Sequence, residues 1–197
     1  MTLQQTIEGT VRGLGFELVE LERSAGGLLR VTIDWPWVPG ADGERLIGVD
    51  DCERVTRQLQ YVLEVEQVDY TRLEVSSPGI DRVLRHALDF ERFQGEWVDV
   101  TLKAPIGAAA AGQVSPNRKK FRGELRKSAA GGWQLVWRDE PRLKPGQRVS
   151  SKRAPAPEQV LDFELDELAS ARLAPVVDFK GRRPRAGNPE QRVDGAG

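Results

Sequence analysis

The sequence has very little of the chemistry on which disulfide-stabilised proteins, zinc sites and most hydrolases depend. Its 197 residues include one cysteine, Cys52, and one histidine, His86. A single cysteine excludes a disulfide framework and is consistent with a reducing compartment. One Cys and one His cannot supply the four ligands of a structural zinc site. We therefore expect no metal and no cofactor.

Long apolar runs and nucleotide-binding motifs are also missing. No stretch approaches the ~18 apolar residues that a membrane-spanning helix needs. The first 15 residues, MTLQQTIEGTVRGLG, lack the basic and apolar regions of a signal peptide. The chain has no P-loop, no G-x-G-x-x-G and no G-x-S-x-G. We expect a cytoplasmic protein that does not bind a membrane and is not an enzyme.

Charge of the two signs is nearly balanced, with a formal net charge of −1, but it is unevenly distributed. Residues 1–84 carry 15 acidic and 8 basic side chains, whereas residues 85–197 carry 15 acidic and 21 basic ones. The basic part could meet nucleic acid, whereas the acidic part would be repelled by phosphate and suits a basic protein. The alternative is that both parts are solvated surfaces without a partner.

Hydrophobic periodicity predicts the order helix, strand, strand, helix, strand for the first 85 residues. Thr2 and Gln5 fit a capping box at the start of the first helix, and Asp50 and Glu53 fit one at the start of the second. The predicted buried seam of the second helix consists of Cys52, Val55, Leu59 and Val62. The strands are expected at 16–23, 29–35 and 70–75. These elements predict an N-terminal α/β sandwich, residues 1–85, with two helices on a three-stranded sheet.

Residues 86–179 have a different pattern, with short alternating strands between turns rich in glycine and charge. This pattern is typical of a small β-barrel. Trp133 and Trp137 fall on one face with Leu135, so we expect them in its core. Further strands are expected near 163–168 and 173–177. Residues 180–197, KGRRPRAGNPEQRVDGAG, have almost nothing to bury and are expected to be a disordered basic tail.

The segment LEVSSPGIDRVL, residues 73–84, is the most distinctive stretch of the chain. A nucleophilic Ser76 or Ser77 would need His86 as its base and an orienting acid, and no nucleophile elbow surrounds either serine. Pro78 and Gly79 fit a type II turn with a positive φ at the glycine. Alternatively, Ser77 caps a short helix that begins at Pro78. The segment is then either a rigid turn alone or a recognition site.

The residues that follow this turn are expected to fix it in place. Ile80, Val83 and Leu84 would pin the turn to a hydrophobic core, which leaves Asp81 and Arg82 to pair or to face outward. The segment would then hold the two domains at a working angle and offer a contact edge to a partner.

A second candidate site is a basic strand, Arg118-Lys119-Lys120-Phe121-Arg122. Four cations around one aromatic residue predict a patch that faces phosphate, with Phe121 itself in the core. Two tryptophans in DWPWVPG, residues 34–40, are also noted. We expect Trp35 in the core, and Trp37 is either buried or available to stack on a base or anchor a partner.

Several blocks in order resemble the bacterial ribosome maturation factor RimP family. GVDDCERVTRQLQYVLEVE and YTRLEVSSPGIDRVL resemble its N-terminal domain. FERFQGEWVDVTLKAP, NRKKFRGELR and LASARLAPVVDF resemble its C-terminal domain. The resemblance covers residues 15–179. The family signature maps onto Ser76, Ser77, Pro78, Gly79, Asp81 and Arg82. The start of the family's basic strand maps onto Arg118, Lys119 and Phe121, followed by Gly123.

The resemblance implies a fold and a set of partners. It implies an N-terminal α/β domain, an SH3-like (Sm-like) barrel, and a role in maturation of the small (30S) ribosomal subunit without catalysis. The implied partners are the immature small subunit, its rRNA, and the basic decoding-centre protein numbered twelve. Nothing in the sequence indicates a dimer, so we expect a monomer. The alternative is an Sm-like module that binds free RNA through Arg118, Lys119, Lys120 and Arg122.

Two departures from the family pattern limit what can be carried over. Many relatives have a proline after the Asp-Arg pair, where this chain has Val83, so the connection here is less rigid. The loops at 36–48, 104–117 and 144–157 are longer than in the compact family form.

Overall fold

A computed structural model of the chain describes residues 2–40, 45–106, 115–129, 131–138 and 157–174. These residues form three α-helices and eight strands. The elements are α1 Leu3–Gly13, β1 Glu17–Arg23, β2 Leu28–Asp34, α2 Val49–Val65, β3 Arg72–Ser76, α3 Ala87–Arg92, β4 Trp97–Leu102, β5 Lys120–Lys127, β6 Trp133–Arg138, β7 Glu158–Phe163 and β8 Leu168–Leu173. None of the described helices is long and apolar enough to cross a membrane.

The first sheet has the order β1-β2-β3, in which β1 and β2 are antiparallel and β2 and β3 are parallel. The parallel pair requires a crossover, and α2 supplies it. One hydrophobic core joins α1 and α2 to this sheet. Its fully buried residues are Ile7, Val11, Phe16, Leu29, Val31, Ile33, Val55, Leu59 and Leu63. The predicted α/β sandwich of two helices on three strands is therefore confirmed.

The start of the first helix was correctly predicted, and that of the second was not. Thr2 Oγ1 accepts a hydrogen bond from Gln5 N at 3.3 Å, and Gln5 Oε1 accepts one from Thr2 N at 2.9 Å. The second helix begins after Gly48, whose N–H donates to the Asp51 carboxylate at 3.0 Å. The capping box at Asp50 and Glu53 is therefore wrong, because both residues lie within the helix.

The buried face of α2 also differs from the prediction at two positions. Val55, Leu59 and Leu63 are fully buried, whereas Cys52 and Val62 are only partly buried. Leu63, rather than Val62, continues the spacing of four residues that starts at Val55, and this spacing keeps the side chains on one side of the helix.

The second sheet has the order β7-β6-β5-β4-β8, with every neighbouring pair antiparallel. All five strands contribute to one core, in which Trp133 and Trp137 are each 6% exposed. The prediction that these tryptophans are core residues is confirmed. Within the described residues β7 and β8 do not pair with each other, so this sheet is open and the expected closed barrel is not confirmed.

The last two strands were predicted several residues too late. The apolar stretch 163–168 is the connection between β7 and β8, which includes a short 3-10 turn at Leu165–Glu167. In β7 only Leu161 and Phe163 are buried. The strand therefore needs few apolar residues, and its alternation is too short to be recognised in the sequence. Residues 175–179, the tail 180–197 and most of the 144–157 loop lie outside the described residues.

We predict that Gly123→Ala destabilises the second sheet while Gly9→Ala does not harm the first domain. A Cβ on Gly123 would lie 2.9 Å from the backbone oxygen of Val136, so the strands must move apart. We expect a loss of about 1–3 kcal/mol in the free energy of unfolding, measured by urea titration. Gly9 lies inside α1 with open space around it, and alanine there should add about 0.5–1 kcal/mol. Equal stability of the two variants would contradict the close packing at Gly123.

Candidate functional site: the Arg82 ion-pair cluster

The segment after β3 joins the two hydrophobic cores and extends the edge of the second sheet. Leu84 N donates to Ala171 O at 2.9 Å, and Leu173 N donates to Arg82 O at 2.8 Å. Val83 forms an isolated bridge with Arg172 of β8. Backbone pairing with β8 therefore fixes the direction in which residues 82–84 run.

Arg82 lies at the centre of this junction and is only 5% exposed. Its Nη2 atom lies 2.6 Å from Glu17 Oε1 and 3.1 Å from Asp89 Oδ1, and its Nη1 atom donates to Asp34 Oδ2. Glu17 begins β1 and Asp34 ends β2, whereas Asp89 belongs to α3. One guanidinium thus joins the first sheet to the helix that precedes the second sheet.

Asp34 connects the cluster to a second arginine. Its Oδ2 atom accepts a hydrogen bond from Arg92 Nη1 at 2.9 Å, and its Oδ1 atom accepts one from Trp35 N at 2.8 Å. The Asp34 side chain is 8% exposed. A buried carboxylate is tolerated when charge and hydrogen bonds compensate for lost hydration, and Asp34 has both.

The environment keeps Arg82 positively charged. Burial alone would lower the pKa of its guanidinium. The hydrogen bond to Glu17 and the charge of Asp34 outweigh burial, so this pKa lies above its ordinary value. The Nε atom of Arg82 is buried and has no hydrogen-bond partner among the described residues. Among the described residues, all of the hydrogen bonds that compensate for burial therefore come from the two terminal nitrogens.

Two further contacts link the same parts of the chain through β1. Arg172 Nη2 of β8 lies 2.6 Å from Glu20 Oε1, and Arg85 Nη1 donates to Val19 O at 3.3 Å. Arg172 Nη1 also donates to the backbone oxygen of Asp81 at 3.4 Å. The junction is therefore a row of polar contacts between β1 on one side and the connecting segment and β8 on the other.

The serine-proline-glycine turn differs from both of its predicted forms. Gly79 does not have a positive φ, which excludes the type II turn, and no helix begins at Ser77. The chain turns at Ile80 and Asp81 instead. Arg82 and the pairing with β8 fix the chain at this point, so a special glycine conformation is not required.

The apolar residues after the turn are not all buried as predicted. Ile80 is 68% exposed, Val83 is half-buried and Leu84 is buried. Asp81 is exposed, while its neighbour Arg82 is enclosed. The segment therefore anchors itself through Arg82 and Leu84, and it displays Ser77, Gly79, Ile80 and Asp81 to solvent.

The predicted basic strand has Phe121 in the core, as expected, and cations outside. Arg118 is held in place, with its guanidinium carbon 4.7 Å from the Phe121 ring centre and its Nε donating to Lys120 O at 2.8 Å. Lys119 Nζ donates to Lys103 O at 2.9 Å, which brings a further lysine beside the patch. Lys119, Lys120 and Arg122 are exposed.

Other candidate residues lie outside these two sites. His86 is exposed, and its backbone N–H donates to Asp89 Oδ2 at 2.9 Å where α3 begins. No hydrogen bond joins His86 to Ser76 or Ser77 in the described structure. Within the same residues no group of three or more His, Cys, Asp or Glu could hold a metal ion. Trp35 and Trp37 are both partly buried, and the Trp35 ring packs on Phe16 at 4.4 Å.

Sequence reasoning identified Arg82 but none of its partners. These partners and the neighbouring ion-paired residues are Glu17, Glu20, Asp34, Asp89, Arg92 and Arg172. In β2 the side chains of Leu29, Val31 and Ile33 point into the core. Strand alternation therefore predicts that the next residue, Asp34, is exposed to solvent, whereas it is buried. The only available signal was a pair of acidic residues at adjacent strand ends, Glu17 and Asp34, which face each other across β1 and β2.

Comparison with known proteins tests the family resemblance. Residues 6–81 match the family model described as the RimP N-terminal domain. A ribosome maturation factor RimP from Acidovorax sp. (strain JS42) is 65% identical over 96% of this chain and 100% of its own length. The protein of that name from Polaromonas sp. (strain JS666 / ATCC BAA-500) is 68% identical over 94% of each chain, and that from Delftia acidovorans is 67% identical over 92% of this chain and 97% of its own. The predicted resemblance is confirmed, and the chain belongs to the ribosome maturation factor RimP family.

Proposed function

We propose that this protein is a maturation factor for the small (30S) ribosomal subunit that binds the immature particle in the cytoplasm and does not catalyse a reaction. The observation that carries the proposal is identity of 65% or more, over nearly the full chain, to proteins named ribosome maturation factor RimP. A non-catalytic factor acts by binding one state of its target more tightly than another. It must therefore bind the immature subunit better than the finished one.

The Arg82 cluster supports a role for the signature segment in this binding. We propose two domains, 1–85 and 86–179, with the second a strongly bent, SH3-like sheet whose five strands share one core. Arg82 would hold the two domains at a fixed angle. Ser77, Gly79, Ile80 and Asp81, displayed beside this anchor, would contact the particle.

Charge distribution supports the assignment of partners to the two domains. The exposed cations Lys119, Lys120 and Arg122 would face rRNA phosphates, with Arg118 positioned behind them on Phe121. The acidic residues of the first 84 positions would face a basic protein of the particle, for which the decoding-centre protein numbered twelve is our candidate. A monomer with two oppositely charged surfaces would then contact a protein and the rRNA of the particle at the same time.

Sedimentation of the purified protein with immature subunits, mature subunits and whole ribosomes tests the function directly. We expect migration with immature or free small subunits and weak migration with whole ribosomes, at low and at moderate salt. Equal binding to all three particles would contradict a role that depends on selecting the immature state. Binding to naked RNA without binding to any particle would instead favour the Sm-like RNA-binding alternative.

Arg82→Ala and Asp81→Ala should separate the anchoring role from the contact role. Arg82→Ala removes the cation shared by the buried Asp34 and the partly buried Glu17 and Asp89. We therefore expect a loss of about 3–5 kcal/mol in stability and a larger radius of gyration by X-ray scattering. Asp81 is exposed, so its alanine variant should keep the scattering profile and lose only association with the subunit.

Arg12→Ala is the matched control for Arg82→Ala. Among the described residues the Arg12 side chain forms an ion pair with Glu8 alone, and this pair is exposed, so the change in stability should be less than about 0.5 kcal/mol. Unchanged sedimentation of both the Asp81 and Arg82 variants would remove the signature segment from the binding mechanism.

Lys119→Ala combined with Lys120→Ala should weaken association with the particle and reduce its salt dependence. Each lysine that contacts a phosphate contributes about one to the slope of log K against log salt concentration. The control is Arg126→Ala on the same strand, because Arg126 is already paired with Glu124 at 2.9 Å and with Glu158 at 3.5 Å. An equal change in slope for the control would show that the effect is one of net charge and not of this patch.

A further inference from the structure

A cleft of about 490 Å³ opens at the end of the second sheet where β5 ends, β6 begins and β7 ends. Lys127 pairs with Trp133, and Trp133 pairs with Phe163, so these three strands meet at this end. The short helix α3 forms one side of the cleft with Ala87 and Glu91. The other side is the connection that follows β7, residues 164–166. Every described residue that lines the cleft therefore comes from this sheet, its connections or α3.

Three carboxylates in this cleft lack a counter-charge. Glu91, Glu164 and Asp166 are exposed, and within the described ranges none of them forms an ion pair. Gly132 leaves room for one of them, because it has a positive φ of 73° and a Cβ at this position would overlap the Glu164 carboxylate. Among the described lining residues Lys127 is the one cation. The cleft is therefore acidic, although it lies in the part of the chain that has an excess of basic residues.

The two nearby lysines are directed at other groups. Lys127 Nζ lies 6.0 Å from the centre of the Trp133 ring, and Lys103 Nζ donates to the backbone oxygen of Asp166 rather than to its carboxylate. Leu165, between the acidic residues, is half-buried and offers an apolar surface. An acidic cleft with an apolar floor suits a segment of lysine or arginine residues, whose long stems are apolar and whose ends are cationic. The same carboxylates repel the phosphates of RNA.

The chain itself carries such a segment, and β8 leads toward the cleft. Both β8 and β5 are antiparallel to β4, so they end at the same end of the sheet. Ala174 N donates to Trp97 O at 2.8 Å, and Trp97 pairs with Glu124, three residues before Lys127. Strand spacing and rise place Ala174 about 14 Å from Lys127. The chain from Ala174 to Lys180 can span up to about 20 Å, so the residues after Lys180 can reach the cleft.

We propose that residues 180–185, Lys-Gly-Arg-Arg-Pro-Arg, here called the tail segment, bind in this cleft of the same chain. Four cations in six residues meet the carboxylates of Glu91, Glu164 and Asp166, and the arginine stems pack on Leu165. A short tether gives the tail segment an effective concentration in the millimolar range at the cleft, which favours it over a basic segment of another molecule. In the free protein this contact withholds four cations from nonspecific binding to RNA phosphates.

Carbodiimide crosslinking of the full chain tests the inference in the free protein, so its outcome does not depend on the maturation role. The reagent joins a carboxylate to a lysine amine only when the two groups are in contact, and Lys180 is the only lysine in residues 175–197. We expect amide bonds from Lys180 to Glu91, Glu164 or Asp166, located by mass spectrometry. A mixture with isotope-labelled protein should show that both linked residues belong to one chain. Absence of these links, links only to acids outside the cleft, or links between two chains would overturn the inference.

A variant of the tail segment shows whether its arginines hold it in the cleft. Arg182→Gln with Arg183→Gln and Arg185→Gln keeps Lys180 and every carboxylate, so the reacting groups of the crosslink are unchanged. Loss of three exposed ion pairs should lower the yield of the links from Lys180 to the cleft about tenfold. An unchanged yield would show that the arginines do not bind there, which contradicts the inference.

The matched control removes the same charge from the first domain. It combines Arg12→Gln, Arg57→Gln and Arg72→Gln, three arginines whose side chains are each about three quarters exposed. Because salt screens distant surface charges, the yield of the links from Lys180 should stay within about twofold of that of the unchanged protein. An equal loss of yield in the control and the tail variant would show that the links follow net charge, and the proposed binding of the tail segment would then be wrong.

Discussion

The arrangement of the two hydrophobic cores depends on the burial of one cation. Taking the Arg82 guanidinium out of water costs several kcal/mol, and only carboxylates in close contact can offset that cost. Three carboxylates approach it, from the start of β1, the end of β2 and the short helix α3. The stabilisation that each element gains from Arg82 therefore depends on the presence of the other two. An apolar contact of the same area would tolerate sliding, whereas hydrogen bonds from a planar guanidinium impose direction as well as proximity.

Asp89 shows how closely this interaction is coupled to local structure. Its Oδ1 atom accepts from Arg82, and its Oδ2 atom accepts from the backbone N–H groups of Arg85 and His86, each at 2.9 Å. The last two bonds lie at the start of α3, a helix of six residues that is too short to be stable alone. The Asp89 carboxylate, which accepts a hydrogen bond from Arg82, therefore also stabilises the start of the helix to which Asp89 belongs. Tertiary contact and local structure stabilise each other here.

The features that could be predicted from the sequence are those in which the interacting residues are close in the chain. The capping box of Thr2 and Gln5 spans three residues, and the face shared by Trp133, Leu135 and Trp137 follows from strand alternation. Arg82 lies 65 residues from Glu17 and 48 from Asp34, and no periodic pattern connects positions so far apart. The partners of Arg82 therefore could not be predicted. For the same reason the turn at Pro78 and Gly79 was interpreted from local propensities and was wrong, since a distant anchor decides its conformation.

The division of charge seen in the sequence has two physical parts in the structure. Glu17, Glu20 and Asp34 contribute to the excess of acid in the first 84 residues, but they face Arg82, Arg92 and Arg172 at the junction and are compensated within the molecule.

A partner would instead encounter the acids that remain exposed, such as Glu64 and Glu66 at the end of α2. These two residues weaken the helix that carries them, because they stand at its negative end. The acidic excess of the first 84 residues is therefore divided between carboxylates that stabilise the junction and carboxylates that destabilise a helix end.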